Sequence, residues 1–172
     1  LYDQVGTVNG SSAADTFTIG SASNYVDSTV GTIDGKASSD TLTAYLKASG
    51  SIESVNAVEN ITLNIGGLTG TTSSVTVAAA GLGINDASTV VITGGLAGNV
   101  TTLSGSITDH GMSLDGSDFV GSLDITFGDG GLVQEGVNDA VTIKGGSGTS
   151  DKVTINASAD NTGSFTMSGV ET

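Results

Sequence analysis

Residues 145–155 read GGSGTSDKVTI and carry the pattern that decides the fold. A segment rich in glycine and serine leads to Asp151, after which apolar and hydroxyl side chains alternate through Val153, Thr154 and Ile155. The same layout recurs as GSSAADTFTI from Gly10 and as GKASSDTLTA from Gly35. In each copy a glycine precedes an aspartate by five positions, and an apolar residue follows that aspartate by two. This pattern predicts a tight turn that leads into a short β-strand.

Short segments with strand character occur along the whole chain, at intervals of roughly 8–15 residues. Many of them alternate apolar residues with threonine, which places the apolar side chains on one face of a strand and the threonines on the other. No stretch has a convincing helical period. We predict strands at Thr16–Ile19, Thr41–Leu46, Ile52–Val55, Ile61–Ile65, Ser74–Val77, Thr89–Thr93, Val100–Leu103, Met112–Leu114, Leu123–Phe127, Ala140–Lys144, Lys152–Asn156 and Ser164–Met167.

The composition favours one kind of β architecture over another. The chain of 172 residues contains 27 glycines and no proline, cysteine or tryptophan, and its apolar residues are mainly small or branched. A β-sandwich usually has longer strands and aromatic residues in its core, so a stacked β-sandwich is the alternative. We predict an all-β fold, a parallel β-solenoid in which coils stack about 4.8 Å apart. The solenoid is expected to form one segment over residues 1–172, as a fragment of a longer surface protein.

Charge excludes several classes of partner. The net charge is −14, and four lysines without any arginine cannot neutralise a nucleic-acid backbone. The same charge disfavours anionic membrane surfaces, and no apolar run reaches the length of a transmembrane helix, so we expect no direct membrane insertion. The absence of cysteine excludes disulfides. An acidic chain of this kind suits an extracellular, cell-surface protein whose carboxylates are screened or bridged by cations.

Two blocks of the chain resemble a known family. The segments GKASSDTLTA and GGSGTSDKVTI are similar to the RTX nonapeptide, glycine-glycine-x-glycine-x-aspartate-x-aliphatic-x. A second signature follows each of them, SIESVNAVEN at Ser51–Asn60 and SGVET at Ser168–Thr172. This order of turn, strand and glutamate corner resembles bacterial surface-layer proteins of the Caulobacter type, and other type-I-secreted RTX adhesins and exoproteins share it.

The resemblance implies a secreted, calcium-dependent β-solenoid that tiles the cell surface and assembles with copies of itself. It also implies calcium ligands, because the family places the ion against the aspartate carboxylate and nearby turn carbonyls. Carried over residue by residue, these ligands are Asp151 with Gly146 and Gly148, Asp40 with Gly35, Asp15 with Gly10, and Asp139 in the sequence NDAV. Several positions depart from the family pattern: Ser38 and Ala13 replace glycine, and the doublet Gly145-Gly146 is out of phase with Asp151 by one residue.

The aspartates also have a simpler interpretation as turn residues that accept hydrogen bonds from the local backbone. That interpretation is preferred for the acidic group formed by Asp115, Asp118, Asp124 and Asp129, which lacks the spacing of a calcium-binding loop. Calcium needs six to eight oxygen ligands, and one solitary turn supplies about half of them.

No catalytic pattern is present. His110 is the single histidine and lies in a turn-like sequence, and no Gly-x-Ser-x-Gly segment marks a nucleophile. The chain also lacks the arginine and tryptophan with which polysaccharide lyases commonly hold acidic sugars. The sequence therefore favours a structural protein, the calcium-stabilised building block of a surface layer or filament. The alternative is a stalk or ligand-binding module of an RTX adhesin, with cell-surface polysaccharide as a candidate partner. A polysaccharide-acting enzyme domain or a protease is less favoured.

Overall fold

The computed structural model describes residues 6–47, 50–66, 75–78, 89–104, 113–127, 140–155 and 164–171. All regular structure in these ranges is β-strand, and every strand pair in the two sheets is parallel. The strands are β1 (Thr7–Asn9), β2 (Thr16–Ile19), β3 (Thr29–Asp34), β4 (Thr41–Leu46), β5 (Ser51–Asn56), β6 (Asn60–Ile65), β7 (Val75–Ala78), β8 (Thr89–Ser104), β9 (Ser113–Asp115), β10 (Phe119–Phe127), β11 (Ala140–Lys144), β12 (Lys152–Ile155) and β13 (Ser164–Ser168).

The pairing of these strands is that of a β-solenoid, which confirms the predicted fold class. One sheet has the order β1-β3-β5, and the other follows the path β2-β4-β6-β8-β9-β11-β13. The chain alternates between two sides of the fold, so from β1 to β6 each strand pairs with the strand two elements later rather than with its neighbour in sequence. The long strand β8 is the exception, because it also pairs with its sequence neighbours β7 and β9. For example, Leu42 of β4 lies beside Phe17 of β2 on one side and Ile61 of β6 on the other. We call the second sheet the long path.

The core lies between the faces and follows the alternation seen in the sequence. In β4, Leu42, Ala44 and Leu46 are buried, whereas Thr41, Thr43 and Tyr45 alternate with them on the outer face. In-register stacking aligns equivalent apolar residues, as in the row Leu42, Ile61, Val90 and Leu114. Burial of each such aliphatic side chain contributes about 1.5–3 kcal/mol.

The long strand β8 pairs with two different sets of strands because it bends at two glycines. The first part of β8 pairs with β6 and β9, and its later part pairs with β7 and β10. Gly94 and Gly95 stand at the bend with φ of 87° and 86°, values that L side chains rarely adopt. A Cβ atom at Gly94 would collide with the Ile65 carbonyl. The predicted strands Thr89–Thr93 and Val100–Leu103 are therefore two parts of one bent strand.

Two strands were not predicted, β1 and β3. The sequence of β3, TVGTID, is interrupted by Gly31, and glycine weakens a strand pattern. The structure explains this glycine, since a Cβ there would meet the backbone of Gly6. Glycine disfavours a strand at position 31, but the close approach of the neighbouring coil leaves no room there for a larger residue.

Candidate functional site

The aspartate turns form corners that stack on one another. The corner Gly10–Asp15 joins β1 to β2, Gly35–Asp40 joins β3 to β4, and Ala57–Glu59 joins β5 to β6. Because β1, β3 and β5 pair in order and β2, β4 and β6 do the same, these three corners lie one above another. We call them the N-terminal column.

The carboxylates of Asp40 and Glu59 each accept a backbone N–H of the neighbouring coil. The amide N–H of Asp15 donates to Asp40 Oδ1 at 2.6 Å, and that of Asp40 donates to Glu59 Oε2 at 2.7 Å. The carbonyls of the same residues accept from the next coil: Thr41 N–H bonds Asp15 O at 3.0 Å. A side-chain carboxylate thus replaces the backbone carbonyl that a regular parallel ladder would offer at this position.

A second column contains the third aspartate turn. The corner Gly145–Asp151 joins β11 to β12, and the glutamate corner Gly169–Glu171 follows β13. Asp151 N–H donates to Glu171 Oε2 at 2.7 Å, and Leu123 N–H donates to Asp151 Oδ1 at 2.6 Å. We call this arrangement the C-terminal column.

The two columns lie at opposite ends of the strands of the long path. Corners of the N-terminal column precede the path strands β2, β4 and β6, and corners of the C-terminal column follow β11 and β13. Parallel strands all begin at the same side of a sheet. The structure therefore brings Asp15 and Asp40 together and places Asp151 on the other side of the fold.

The two glutamate corners are the same device in both columns. Ala57 and Gly169 each have positive φ, 48° and 62°, and each is followed by a valine and the glutamate. The partnership of Glu59 and Glu171 with the aspartate turns was missed by sequence reasoning. The signal was the recurring order of an aspartate turn followed by a glutamate corner, because these two corners belong to adjacent coils.

Asp40 and Asp151 are buried carboxylates with one oxygen each left unpaired. Their residues are 0% and 2% exposed. In both, Oδ1 accepts an amide N–H, whereas Oδ2 is buried without a hydrogen-bond partner. Asp15 differs, since it is partly exposed and its Oδ2 accepts both the N–H and the hydroxyl of Ser11.

The glycines of the motif make room for these carboxylates. A Cβ atom at Gly35 would collide with Asp40 Oδ2 and the Ala57 carbonyl oxygen. At Gly10 it would lie 2.9 Å from Asp15 Oδ2. The five-residue spacing from glycine to aspartate therefore reflects a packing contact.

In the C-terminal column the equivalent glycine is Gly145 rather than Gly146. Gly145 N–H bonds Ser168 O at 2.9 Å, as Gly35 N–H bonds Asn56 O at 2.9 Å. One additional loop residue explains why the glycine doublet is out of phase with the aspartate. Gly146 N–H reaches Asp151 Oδ1 at 3.1 Å, whereas Gly148 N–H bonds Gly121 O at 2.8 Å.

The orphan carboxylate oxygens are the donor type that calcium prefers, so Asp40 and Asp151 fit a cation in part. Across the described ranges, no group of three or more His, Cys, Asp or Glu side chains converges as a preformed cage. Further oxygens would have to come from corner carbonyls. Asp139, the remaining predicted ligand, lies outside the described residues.

The acidic group around Asp115 is arranged as turn and ion-pair residues. Asp115 Oδ1 accepts the N–H and hydroxyl of Ser117, and its Oδ2 contacts Lys144 Nζ at 2.6 Å. The hydrogen bond from Lys144, followed by those from Ser117, lowers the pKa of Asp115 to about 2. Asp118 is exposed, and Asp124 lies 3.8 Å from Lys152 Nζ. Asp129 and His110 lie outside the described residues.

Nothing in the described part of the chain forms a helix able to cross a membrane. Comparison of the chain with protein-family models, curated proteins and solved structures finds no match.

Proposed function

We propose that this chain is a structural segment of a secreted surface protein, a calcium-stabilised building block of a self-assembling surface layer or filament. The observation that carries the proposal is the pair of buried carboxylates, Asp40 and Asp151, each with one unpartnered oxygen. The resemblance of their turns to RTX nonapeptides supports the same assignment. The role is structural rather than catalytic.

Charge balance supports a bound cation. All four lysines of the chain pair with other carboxylates: Lys36 with Asp34, Lys47 with Asp27, Lys144 with Asp115 and Lys152 with Asp124. No lysine therefore neutralises the columns. A buried carboxylate without a countercharge is costly. One calcium ion at Asp40 and another at Asp151 would offset this cost, and binding to the folded state alone stabilises it by mass action.

The parallel ladder supports the proposed self-assembly. The long path ends at β2 and β13 within the described residues, and a strand edge that no other segment covers can accept a further strand. A second copy that adds its β13 beside β2 would extend the same parallel pairing. Repetition of that contact generates a filament or a sheet.

The calcium part is tested by thermal melting, followed by circular dichroism, over a calcium titration with a chelator as control. We expect the melting temperature of the wild type to rise with calcium and fall with chelator. The variants Asp40→Asn and Asp151→Asn should each lose part of the rise. Glu53→Gln, at an exposed position of β5, removes the same charge and should keep all of it. Equal melting temperatures in calcium and chelator would contradict calcium stabilisation.

The assembly part is tested by electron microscopy of the purified protein in calcium and after chelation. Ordered sheets or filaments that dissolve in chelator are the expected result. Monodisperse rods in calcium would contradict self-assembly and favour a stalk or ligand-binding module of an adhesin.

A further inference from the structure

Two of the three tyrosines of the chain meet on the outer face of the long path. Tyr45 alternates in β4 with the buried Ala44 and Leu46, so it lies on the side away from the core. Tyr25 precedes the buried Val26, whose N–H bonds Tyr45 O at 2.9 Å. The two ring centroids are 5.7 Å apart with an interplanar angle of 82°, an edge-to-face pair. Both residues remain partly exposed.

Tyr25 lies beside β4, because Val26 pairs with Leu46, and its side chain extends past β4 to β6. Its hydroxyl donates to Asn64 Oδ1 at 3.1 Å, and Asn64 is the register partner of Tyr45 in β6. The ring of Tyr25 lies over Gly66, where a Cβ would collide with it. The bond from Tyr25 orients the Asn64 amide, whose oxygen accepts it. Within the described part of the chain its two N–H donors make no hydrogen bond, so they can serve a ligand.

We propose that Tyr25, Tyr45 and Asn64 form a binding site for a neutral carbohydrate. Tyrosine offers a large apolar ring with a polar tip at low entropic cost. A sugar has an apolar C–H face, which packs on such a ring, and a rim of hydroxyls. The Asn64 amide donors and the Tyr45 hydroxyl lie beside the rings and match that rim.

Charge selects a neutral ligand. A charged residue follows each tyrosine by two positions, Asp27 after Tyr25 and Lys47 after Tyr45. These two side chains form an ion pair of 3.3 Å with each other. No lysine is therefore free to bind an acidic sugar, and a net charge of −14 repels one. Tyr45 and Asn64 stand on adjacent strands, about 4.8 Å apart. The site therefore spans about one sugar ring along the solenoid axis.

This site is independent of the carboxylate columns and of the proposed calcium binding. The competing explanation is that Tyr25 only holds the loop before β3 against the sheet. That explanation predicts a loss of stability in tyrosine variants without any ligand binding. A binding assay with a parallel melting measurement separates the two.

The experiment is affinity electrophoresis in gels containing mannan, dextran or a soluble β-glucan, with alginate as the acidic comparison. We expect at least one neutral polysaccharide to retard the wild type, and alginate to have no effect. Tyr45→Ala and Asn64→Ala should weaken retardation about tenfold or more, and Tyr45→Phe should keep most of it because the ring remains. Thr166→Ala, at an exposed outer position of β13, should bind as the wild type does.

Should Tyr45→Ala melt early, Tyr45→Leu keeps an apolar side chain and still removes the ring. Absence of retardation by all three neutral polysaccharides would overturn the proposal. So would equal retardation of the wild type and of folded Tyr45→Ala or Tyr45→Leu, or preferential binding of alginate.

Discussion

The N-terminal and C-terminal columns both use carboxylates to accept backbone N–H groups at the corners, but they contain different numbers of aspartate turns. The N-terminal column stacks two aspartate turns, Asp15 and Asp40, and then a glutamate corner at Glu59. The C-terminal column has one aspartate turn, Asp151, which accepts from the strand residue Leu123 and is followed by the glutamate corner at Glu171. In both, a carboxylate accepts an amide N–H that the corner has turned away from the ladder.

The comparison separates what the corner requires from what varies. A buried aspartate, a glycine packed against it and a glutamate in the next coil occur in both columns. The loop between glycine and aspartate is one residue longer in the C-terminal column. The residue whose N–H donates to the buried aspartate also differs: it is Asp15 in the N-terminal column and Leu123 in the C-terminal column. The shared parts are therefore those whose removal should break the fold, and the variable parts should tolerate change.

The largest effect is expected at the packed glycines. Gly35→Ala and Gly145→Ala each push a Cβ into a carbonyl oxygen of the next coil, and such overpacking costs about 1–3 kcal/mol or more. Urea unfolding measures the loss of free energy of unfolding. Gly169→Ala is the control without a collision: its Cβ would meet nothing closer than 3.7 Å, so only the positive φ of 62° should destabilise it, by about 1 kcal/mol, and Ala57 occupies the equivalent position with φ of 48°. An equal loss in all three variants would contradict the packing account.

The glutamate corners should come next. Glu59→Ala and Glu171→Ala each leave the amide of a buried aspartate without its acceptor, at a cost of about 1–3 kcal/mol. Glu59→Gln and Glu171→Gln keep an acceptor oxygen and should lose less. Glu59 is partly buried whereas Glu171 is exposed, so we expect the greater loss in the N-terminal column. Glutamine variants as unstable as the alanine variants would show that charge, and not the acceptor, matters.

The glycine positions could be predicted from the sequence, whereas the glutamate partners could not. The strong alternation in Thr16–Ile19, Thr41–Leu46 and Ala140–Lys144 identified strands whose bounds the structure repeats. The five-residue spacing from glycine to aspartate located the corners. The glutamate partners could not be found in this way, because Glu59 is 19 residues from Asp40 and their contact depends on the register between coils. The missed strand β3 shows the same limit, because Gly31 is required by the close approach of Gly6 in the neighbouring coil.

The smallest effect is expected at the ion pair beside the C-terminal column. The pKa of Asp115 is lowered from 3.8 to about 2, so its ionised form favours the folded state. This contribution is present above pH 3.8 and is lost as the pH falls toward 2. For a surface pair it amounts to about 0.5 kcal/mol. Lys144→Met should remove most of it, and melting curves of this variant and the wild type should converge near pH 2. A constant difference across that range would contradict the assignment, and Asp118→Asn serves as the exposed control.

Amide hydrogen exchange tests the two columns most directly. The account predicts slow exchange of the Asp40 and Asp151 amides in the wild type, because each donates to a glutamate of the next coil. Glu59→Ala should then speed exchange at Asp40 alone, and Glu171→Ala should speed it at Asp151 alone. Fast exchange of both amides in the wild type, or the same acceleration at both sites in either variant, would contradict the claim that two separate carboxylate columns hold the coils together.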